Sequence, residues 1–171
     1  MGCDIHAYLE FTDNGEYWSS LTSGAGQRNY RMFGIMAGVR CEDIALFEQR
    51  GLPTGEMSWQ AESDHWVWVA PDDKPERASW DGWTGRENAD RWIAAGYSQP
   101  EHKDGVLTRV TNPDHHSHSW LTSSEFSQCF EKYRGLFPDL KPPHDFVGML
   151  GAMQAIEANG GKTRLVFWFD N

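Results

Sequence analysis

The chain has 171 residues, a formal net charge of -10 and 23% charged side chains. That length can bury a core without disulfide or metal staples, so a single domain over residues 1–171 with one hydrophobic core is expected. The charge opposes long-range attraction to long nucleic acid and to anionic membranes, and leaves an anion only local basic pockets. Cys3, Cys41 and Cys129 are widely spaced with no Cys-x-x-Cys pair, which suggests neither a disulfide framework nor a thiolate zinc site and fits a reducing compartment. No run approaches the roughly 20 apolar residues of a membrane span, and no basic region followed by an apolar stretch opens the chain, so a cytoplasmic protein is expected. His6 stands where a myristoylation pattern wants Ser or Thr.

Met1-Gly2-Cys3-Asp4-Ile5-His6 opens the first element. From Cys3 to Phe11 the chain alternates, with Cys3, Ile5, Ala7, Leu9 and Phe11 on one face and Asp4, His6, Tyr8 and Glu10 on the other, the pattern of a half-buried strand. Asp13-Asn14-Gly15 and the extended Glu16-Tyr17-Trp18 predict a hairpin. Arg28 to Ala37 has helical spacing, with Gly38 where a C-cap belongs. Between about Cys41 and Pro113 the pattern weakens; only Trp66–Val69 and Val106–Val110 read as strands and Glu87–Ala95 as a short helix ended by Gly96. Thr122 or Ser123 then caps a helix running through Phe126, Phe130 and Tyr133 to Gly135. A second, His144 to Ala158, carries Phe146, Val147, Leu150, Met153 and Ile156 on one stripe and ends at Asn159-Gly160-Gly161. Thr163 to Phe169 is a last strand, apolar on both faces and therefore central in its sheet. The expected class is α+β: a mainly antiparallel sheet with adjacent N- and C-terminal strands, helices on one face and a loop-rich central third. Antiparallel pairing of the terminal strands would bring Asp4 and His6 near Asp170.

Asp4 and His6 are two apart on a strand, so both side chains leave the same face about 7 Å apart. A carboxylate beside an imidazole suits zinc, manganese or iron, which can polarise a phosphate or activate water; a solvent-facing pair is the plain alternative. Asp114-His115-His116-Ser117-His118-Ser119 lies directly before a helix, where free backbone N–H groups favour an anion. The competing reading is a solvated loop in which Ser119 helps the cap. Arg28-Asn29-Tyr30, Arg40 and Arg50-Gly51-Leu52-Pro53 supply guanidinium groups able to clamp phosphate through two parallel hydrogen bonds, or else to pair with acids such as Glu42, Asp43 or Glu48. Most of the nine tryptophans are expected in the core and its rim, with some free to line a site for a flat ligand. No phosphate-cradling glycine loop, zinc-protease motif or nucleophile elbow is present.

Gly2-Cys3-Asp4-Ile5-His6, Arg28-Asn29-Tyr30, Ala37-Gly38-Val39-Arg40, Arg50-Gly51-Leu52-Pro53, His116-Ser117-His118-Ser119-Trp120-Leu121 and Val166-Phe167-Trp168-Phe169-Asp170-Asn171 together resemble an uncharacterised family of small bacteriophage proteins, from end to end of the chain. The resemblance implies expression inside a host bacterial cell and groups these motif residues into one site. Small phage proteins of this kind are often accessory factors against host defence, some acting on nucleotide signals.

Two functional readings follow. In the first, a metal-assisted phosphodiesterase uses Asp4, His6 and His118 as catalytic groups. Asp4, His6, His116, His118 and Asp170 hold a divalent ion (zinc, manganese or magnesium), and Arg28, Asn29, Tyr30, Arg40, Arg50 and Trp120 bind the ligand. In the second, a binding protein sequesters the same nucleotide-type molecule without turnover. Either is compatible with a homo-oligomer.

Overall fold

The computed structural model describes residues 2–22 and 24–170; Met1 and Asn171, the outermost residues of the two terminal motifs, lie outside the described residues. In chain order the elements are β1 (Asp4–Thr12), β2 (Ser19–Ser20), β3 (Gly24–Ala25), α1 (Tyr30–Ala37), α2 (Trp59–His65), β4 (Trp66–Val69), β5 (Trp83–Thr84), α3 (Arg86–Ala94), β6 (Pro100–Lys103), β7 (Val106–Thr111), β8 (His116–Leu121), α4 (Ser123–Leu136), α5 (His144–Ala158) and β9 (Lys162–Asp170), with short 3-10 segments at Glu42–Ile44 and Pro75–Ser79. The protein is α+β, and its sheets are antiparallel apart from the short parallel pair β4–β5. Two compact units form: the described residues up to Ala61 with those from His116 onward, and Glu62–His115. The division falls inside α2. No helix among the described residues is long and apolar enough to cross a membrane.

In the first unit the strand order is β2-β1-β9-β8, with β3 also on β1. β1 and β9 pair antiparallel along their whole length, from Asp4 opposite Asp170 to Thr12 opposite Lys162. The terminal strands are therefore neighbours, and β9, flanked on both sides, is buried from Thr163 to Phe169. One face of this sheet presents Ile5, Ala7, Leu9, Leu165, Phe167 and Phe169 to α1, α4 and α5, where Met32, Phe33, Phe126, Phe130, Phe146 and Met153 complete a core. The other face is not the polar surface that alternation in β1 predicts. Tyr8, Val166 and Trp168 are buried there with Ala61, against Leu52, Met57 and Trp120, because the connection after Arg50 returns across the sheet.

That second burial forces an ionic solution for the polar residues of β1. Glu10, completely buried, accepts from Arg164 Nε at 2.7 Å and from the Ser58 amide at 2.6 Å. Arg164 Nη2 also donates to the Glu56 carbonyl at 2.7 Å, and its guanidinium lies 3.8 Å from the centre of the Trp18 ring.

The helices start and stop for local reasons. Asn29 Oδ1 accepts from the Met32 amide to cap α1, and Gly38, with φ 72°, ends it in left-handed backbone. Thr122 and Glu125 form a reciprocal capping box on α4. α5 spans the predicted residues but is rotated from the predicted stripe, with Met149 buried and Val147 exposed. The first hairpin also differs from the sequence reading. Residues 13–17 form the turn, where Asn14 Oδ1 accepts from the Glu16 amide at 2.9 Å, and the return strand is Ser19–Ser20.

The second unit is a four-stranded sheet, β5-β4-β7-β6. Val69, Leu107 and Val110 pack with Ala89 of α3, and Val67, Trp92 and Ile93 lie against them. A cross-strand row of Trp83, Trp68, Arg109 and Glu101 spans the sheet, with Arg109 4.5 Å from the Trp66 ring centre and held by Glu101 and Glu62.

Removing one partner of the buried pair in the first unit leaves the other charge uncompensated. Glu10→Ala is therefore expected to cost about 3–5 kcal/mol of unfolding free energy, and the double variant Glu10→Leu/Arg164→Met to cost less than Glu10→Ala alone. Denaturant titration of the three chains checks this; equal or greater loss in the double variant contradicts it.

Candidate functional site

The β1–β9 register fixes the first part of the site. Asp4 lies opposite Asp170, whose carboxylate accepts from the Asp4 amide at 3.1 Å and meets His6 Nε2 at 3.2 Å. The Asp4 side chain takes a different partner. Arg28 grips it with two hydrogen bonds, Nε to Oδ1 at 2.7 Å and Nη2 to Oδ2 at 2.6 Å. The guanidinium holds the Asp4 carboxyl below its ordinary range, and Asp4 raises Arg28 in return. A guanidinium in this geometry neutralises the carboxylate that a metal would need, and the carboxylate occupies the fork that a phosphate would need.

The second part depends on an irregularity in β8. His116 pairs with Phe169 and Ser119 with Phe167, so two residues of β8, Ser117 and His118, stand against one of β9, Trp168, and the register shifts between them. Ser117 absorbs the extra residue in left-handed backbone, φ 54°. His116 and His118, two apart in the sequence, consequently stack on opposite faces of β9. The His116 ring lies 6.1 Å from Phe169 on the helix side; the His118 ring lies 5.9 Å from Trp168 on the other, where His6 covers the same indole at 6.0 Å and 13°. Of the five proposed metal ligands, His6 and Asp170 bring ligand atoms together, at 3.2 Å. Among the described residues no three of Asp4, His6, His116, His118 and Asp170 gather their ligand atoms within 4.8 Å.

Burial pushes the His118 imidazole down to about 4, with the neighbouring His116 adding to the shift. At neutral pH it is uncharged, so it has no proton to give as a general acid and no positive charge for an anion.

The expected anion site at the start of α4 is closed from within. Glu125 accepts from the Thr122 amide at 2.9 Å, and its own amide donates to the Thr122 hydroxyl. Arg50 pairs with the same carboxylate, which Arg50 and Thr122 together hold down at about 2. The Arg50 guanidinium also lies 5.0 Å from the Trp120 ring centre. A carboxylate already occupies the positive end of this helix, and Arg50 and Trp120 are spent on holding it.

What the fold does assemble is a pair of cavities with a common wall. The first, about 690 Å³, is lined by the loop from Gly38 to Asp43, by Gln49 and by His116 and Ser117. The second, about 410 Å³, is lined by Arg28, Asn29, Tyr30 and Arg31, and Cys41 belongs to both. Both volumes fall within the roughly 300–1,000 Å³ of small-molecule sites. The loop is seated by a close approach: a Cβ on Gly34 would stand 2.6 Å from Cys41 Cβ and 2.9 Å from its carbonyl oxygen. Gln49 Nε2 donates to the Ala37 carbonyl at 2.8 Å and fixes the far wall. Cys3 lies behind, its thiol raised by burial and partly restored by the Arg40 guanidinium.

Arg28, Asn29, Tyr30, Arg40 and His116 thus line two adjoining cavities. His6, His118, Arg50 and Trp120 do not line them. Ser117, Cys41 and Gln49 were given no role by sequence reasoning; the signal for Ser117 is its backbone conformation, which spacing does not reveal. Among the described residues no tryptophan lines either cavity, and the rings there are the Tyr30 phenol and the His116 imidazole.

Comparison of the chain with protein-family models, curated proteins and solved structures yields no match.

Two outcomes test this geometry. An unfolded imidazole takes up its proton near pH 6.5, whereas that of His118 waits until about 4. Between these values the unfolded state binds more protons, so stability falls as the pH is lowered, by up to about 3 kcal/mol. His118→Gln should lose that part of the slope when unfolding free energy is measured from pH 7 to 4; an unchanged slope would place the imidazole in water. Gly34→Ala should destabilise by about 1–3 kcal/mol through the clash with Cys41, although alanine at an unobstructed helix position stabilises by roughly 1 kcal/mol. A rise in melting temperature would contradict the close approach.

Proposed function

We propose that the protein binds a small phosphorylated ligand of nucleotide type in the paired cavities and sequesters it without turnover. The observation that carries this reading is the lining of the larger cavity, where Arg40 and His116 stand with Glu42, Asp43, Gln49 and Ser117. Such a mixed set suits a molecule with an anionic end and several hydroxyl or amino donors: guanidinium and imidazole take the phosphate, and the carboxylates accept from sugar and base. Across Cys41, the Tyr30 ring, 38% exposed, offers a face for a base. The resemblance to small bacteriophage proteins supports an accessory, anti-defence role inside a host bacterial cell, where cyclic and linear nucleotides act as signals.

Metal-assisted phosphodiester hydrolysis is the second reading. Its support is the contact between His6 and Asp170 at 3.2 Å, an imidazole–carboxylate pair able to supply two ligands to zinc, manganese or magnesium. The ion would polarise the phosphate or activate water there.

A panel of cyclic and linear nucleotides, with and without chelator, separates the two. Thermal unfolding reports binding, and chromatography of the ligand recovered after heating reports turnover. The expected result is a nucleotide that raises the unfolding temperature, by the equivalent of about 2.7 kcal/mol at one hundred times its dissociation constant, is recovered intact and ignores chelator. Arg40→Asn removes the guanidinium while keeping a residue that tolerates the left-handed backbone of position 40, φ 66°. It should weaken binding at least about tenfold, or roughly 1.4 kcal/mol. Consumption of the nucleotide that stops on chelation would favour the hydrolase, and a panel neither bound nor consumed would end the phosphate reading.

A further inference from the structure

We propose that Ser117 is a nucleophile, activated by His116, that attacks phosphoryl electrophiles entering the larger cavity. The two side chains are joined by a hydrogen bond of 2.9 Å between Ser117 Oγ and His116 Nδ1, and both residues line the cavity opposite the loop that carries Arg40. A serine hydroxyl is a weak nucleophile until a neighbouring base can take its proton, and this contact supplies the base at the distance the transfer needs. The imidazole is oriented in turn by its stacking on Phe169, at 6.1 Å and 29°, where the completely buried phenylalanine fixes one side of the ring.

Backbone strain independently marks the same place. Among the described residues three that are not glycine have positive φ: Arg40, Asp104 and Ser117. Asp104 precedes Gly105 between the paired strands β6 and β7, a hairpin turn where such backbone is ordinary. The other two both line this cavity. Strained residues persist where the surrounding structure holds them, and they concentrate at sites where a side chain must be aimed. The extra residue in β8 does this for Ser117, taking its hydroxyl out of the regular alternation of the strand.

The step is a displacement at phosphorus. With His116 in the tautomer protonated at Nε2, the Ser117 hydroxyl donates to Nδ1. As Oγ bonds to phosphorus, its proton passes to Nδ1 and the leaving group departs with the electron pair of the broken bond, giving phosphoserine and an imidazolium. Arg40 is the cationic residue in the lining of this cavity and the group suited to the charge on the phosphoryl oxygens. Neither a metal nor a redox partner enters.

Ser117 acts in the cavity of the phosphate-binding reading and on that reading's ligand class only where the leaving group is better than a nucleotide's alkoxide or phosphate, so a nucleotide is still recovered intact and the two are tested separately. The full chain is incubated with diisopropyl fluorophosphate, in which fluoride is the leaving group, and the adduct is followed by intact mass and located by peptide mapping. One diisopropylphosphoryl group on Ser117 is expected. Ser117→Gly, which adopts the left-handed backbone without strain, should keep the unfolding temperature and take no adduct. His116→Gln should slow labelling by at least about 100-fold, the lower end of general-base contributions. No adduct, an adduct elsewhere, or labelling of Ser117 at an unchanged rate in His116→Gln would each overturn the nucleophile. A chain that binds a nucleotide yet takes no adduct loses the nucleophile alone. A chain labelled at Ser117 that binds no nucleotide keeps the nucleophile and loses the nucleotide reading.

Discussion

The pairing of β1 with β9 is the constraint on which the first unit depends. It joins the two ends of the chain in nine consecutive residue pairs, Asp4 to Thr12 against Asp170 to Lys162, and β9 is then closed on its other side by β8. Because side chains alternate with a period of two, a slip of one residue would turn Phe167 and Phe169 out of the helix-side core and Trp168 into it. Both faces of β9 are buried, so both faces resist that slip. Asp170 is held opposite Asp4 as a result, and a single carboxylate can serve the Asp4 amide and the His6 ring together.

The same pairing decides which polar residues are available for chemistry. Once Tyr8 and Glu10 are buried on the second face, the Glu10 carboxylate group needs a hydrogen-bond partner, and Arg164, opposite it in the register, is that partner. Asp4 at the open end of the strand takes Arg28 instead, with both side chains about half exposed. There the pairing orients the two groups more than it stabilises the fold, since exposed ion pairs are screened by solvent. The arginines at positions 28, 50 and 164 are thereby all committed to carboxylates of the first unit, and the neutral His118 contributes no charge.

How much of this was legible in the sequence varies with the kind of residue. β9 and its central position were readable because Leu165, Val166, Phe167, Trp168 and Phe169 leave no polar face to expose. α1 and α5 were readable because Gly38 and the Asn159-Gly160-Gly161 run punctuate them. β8 was not read as a strand: His116-Ser117-His118-Ser119 lacks the β-branched and apolar residues that mark one, and its pairing with β9 is a long-range contact. The placing of Asp4 and His6 beside Asp170 followed from topology alone. The partner of the Asp4 carboxylate did not, because Arg28 reaches it across a loop whose path no local pattern encodes. The bulge was equally hidden. One left-handed serine separates His116 from His118, and no local pattern announces it.

That bulge also explains why the site lies where it does. A helix start offers an anion several aligned N–H groups, and α4 would have been the natural receptor, but Thr122 and Glu125 satisfy it internally and bring a negative charge to it. Regular alternation would have carried His116 to the Trp168 side with His118, into the apolar cluster of Tyr8, Val166 and Trp120, where a charged imidazole is costly. By inserting Ser117, the strand keeps His118 neutral in that cluster and turns His116 toward the loop that carries Arg40. The left-handed backbone at Ser117 is thus the local cost of separating two histidines that the sequence sets two residues apart.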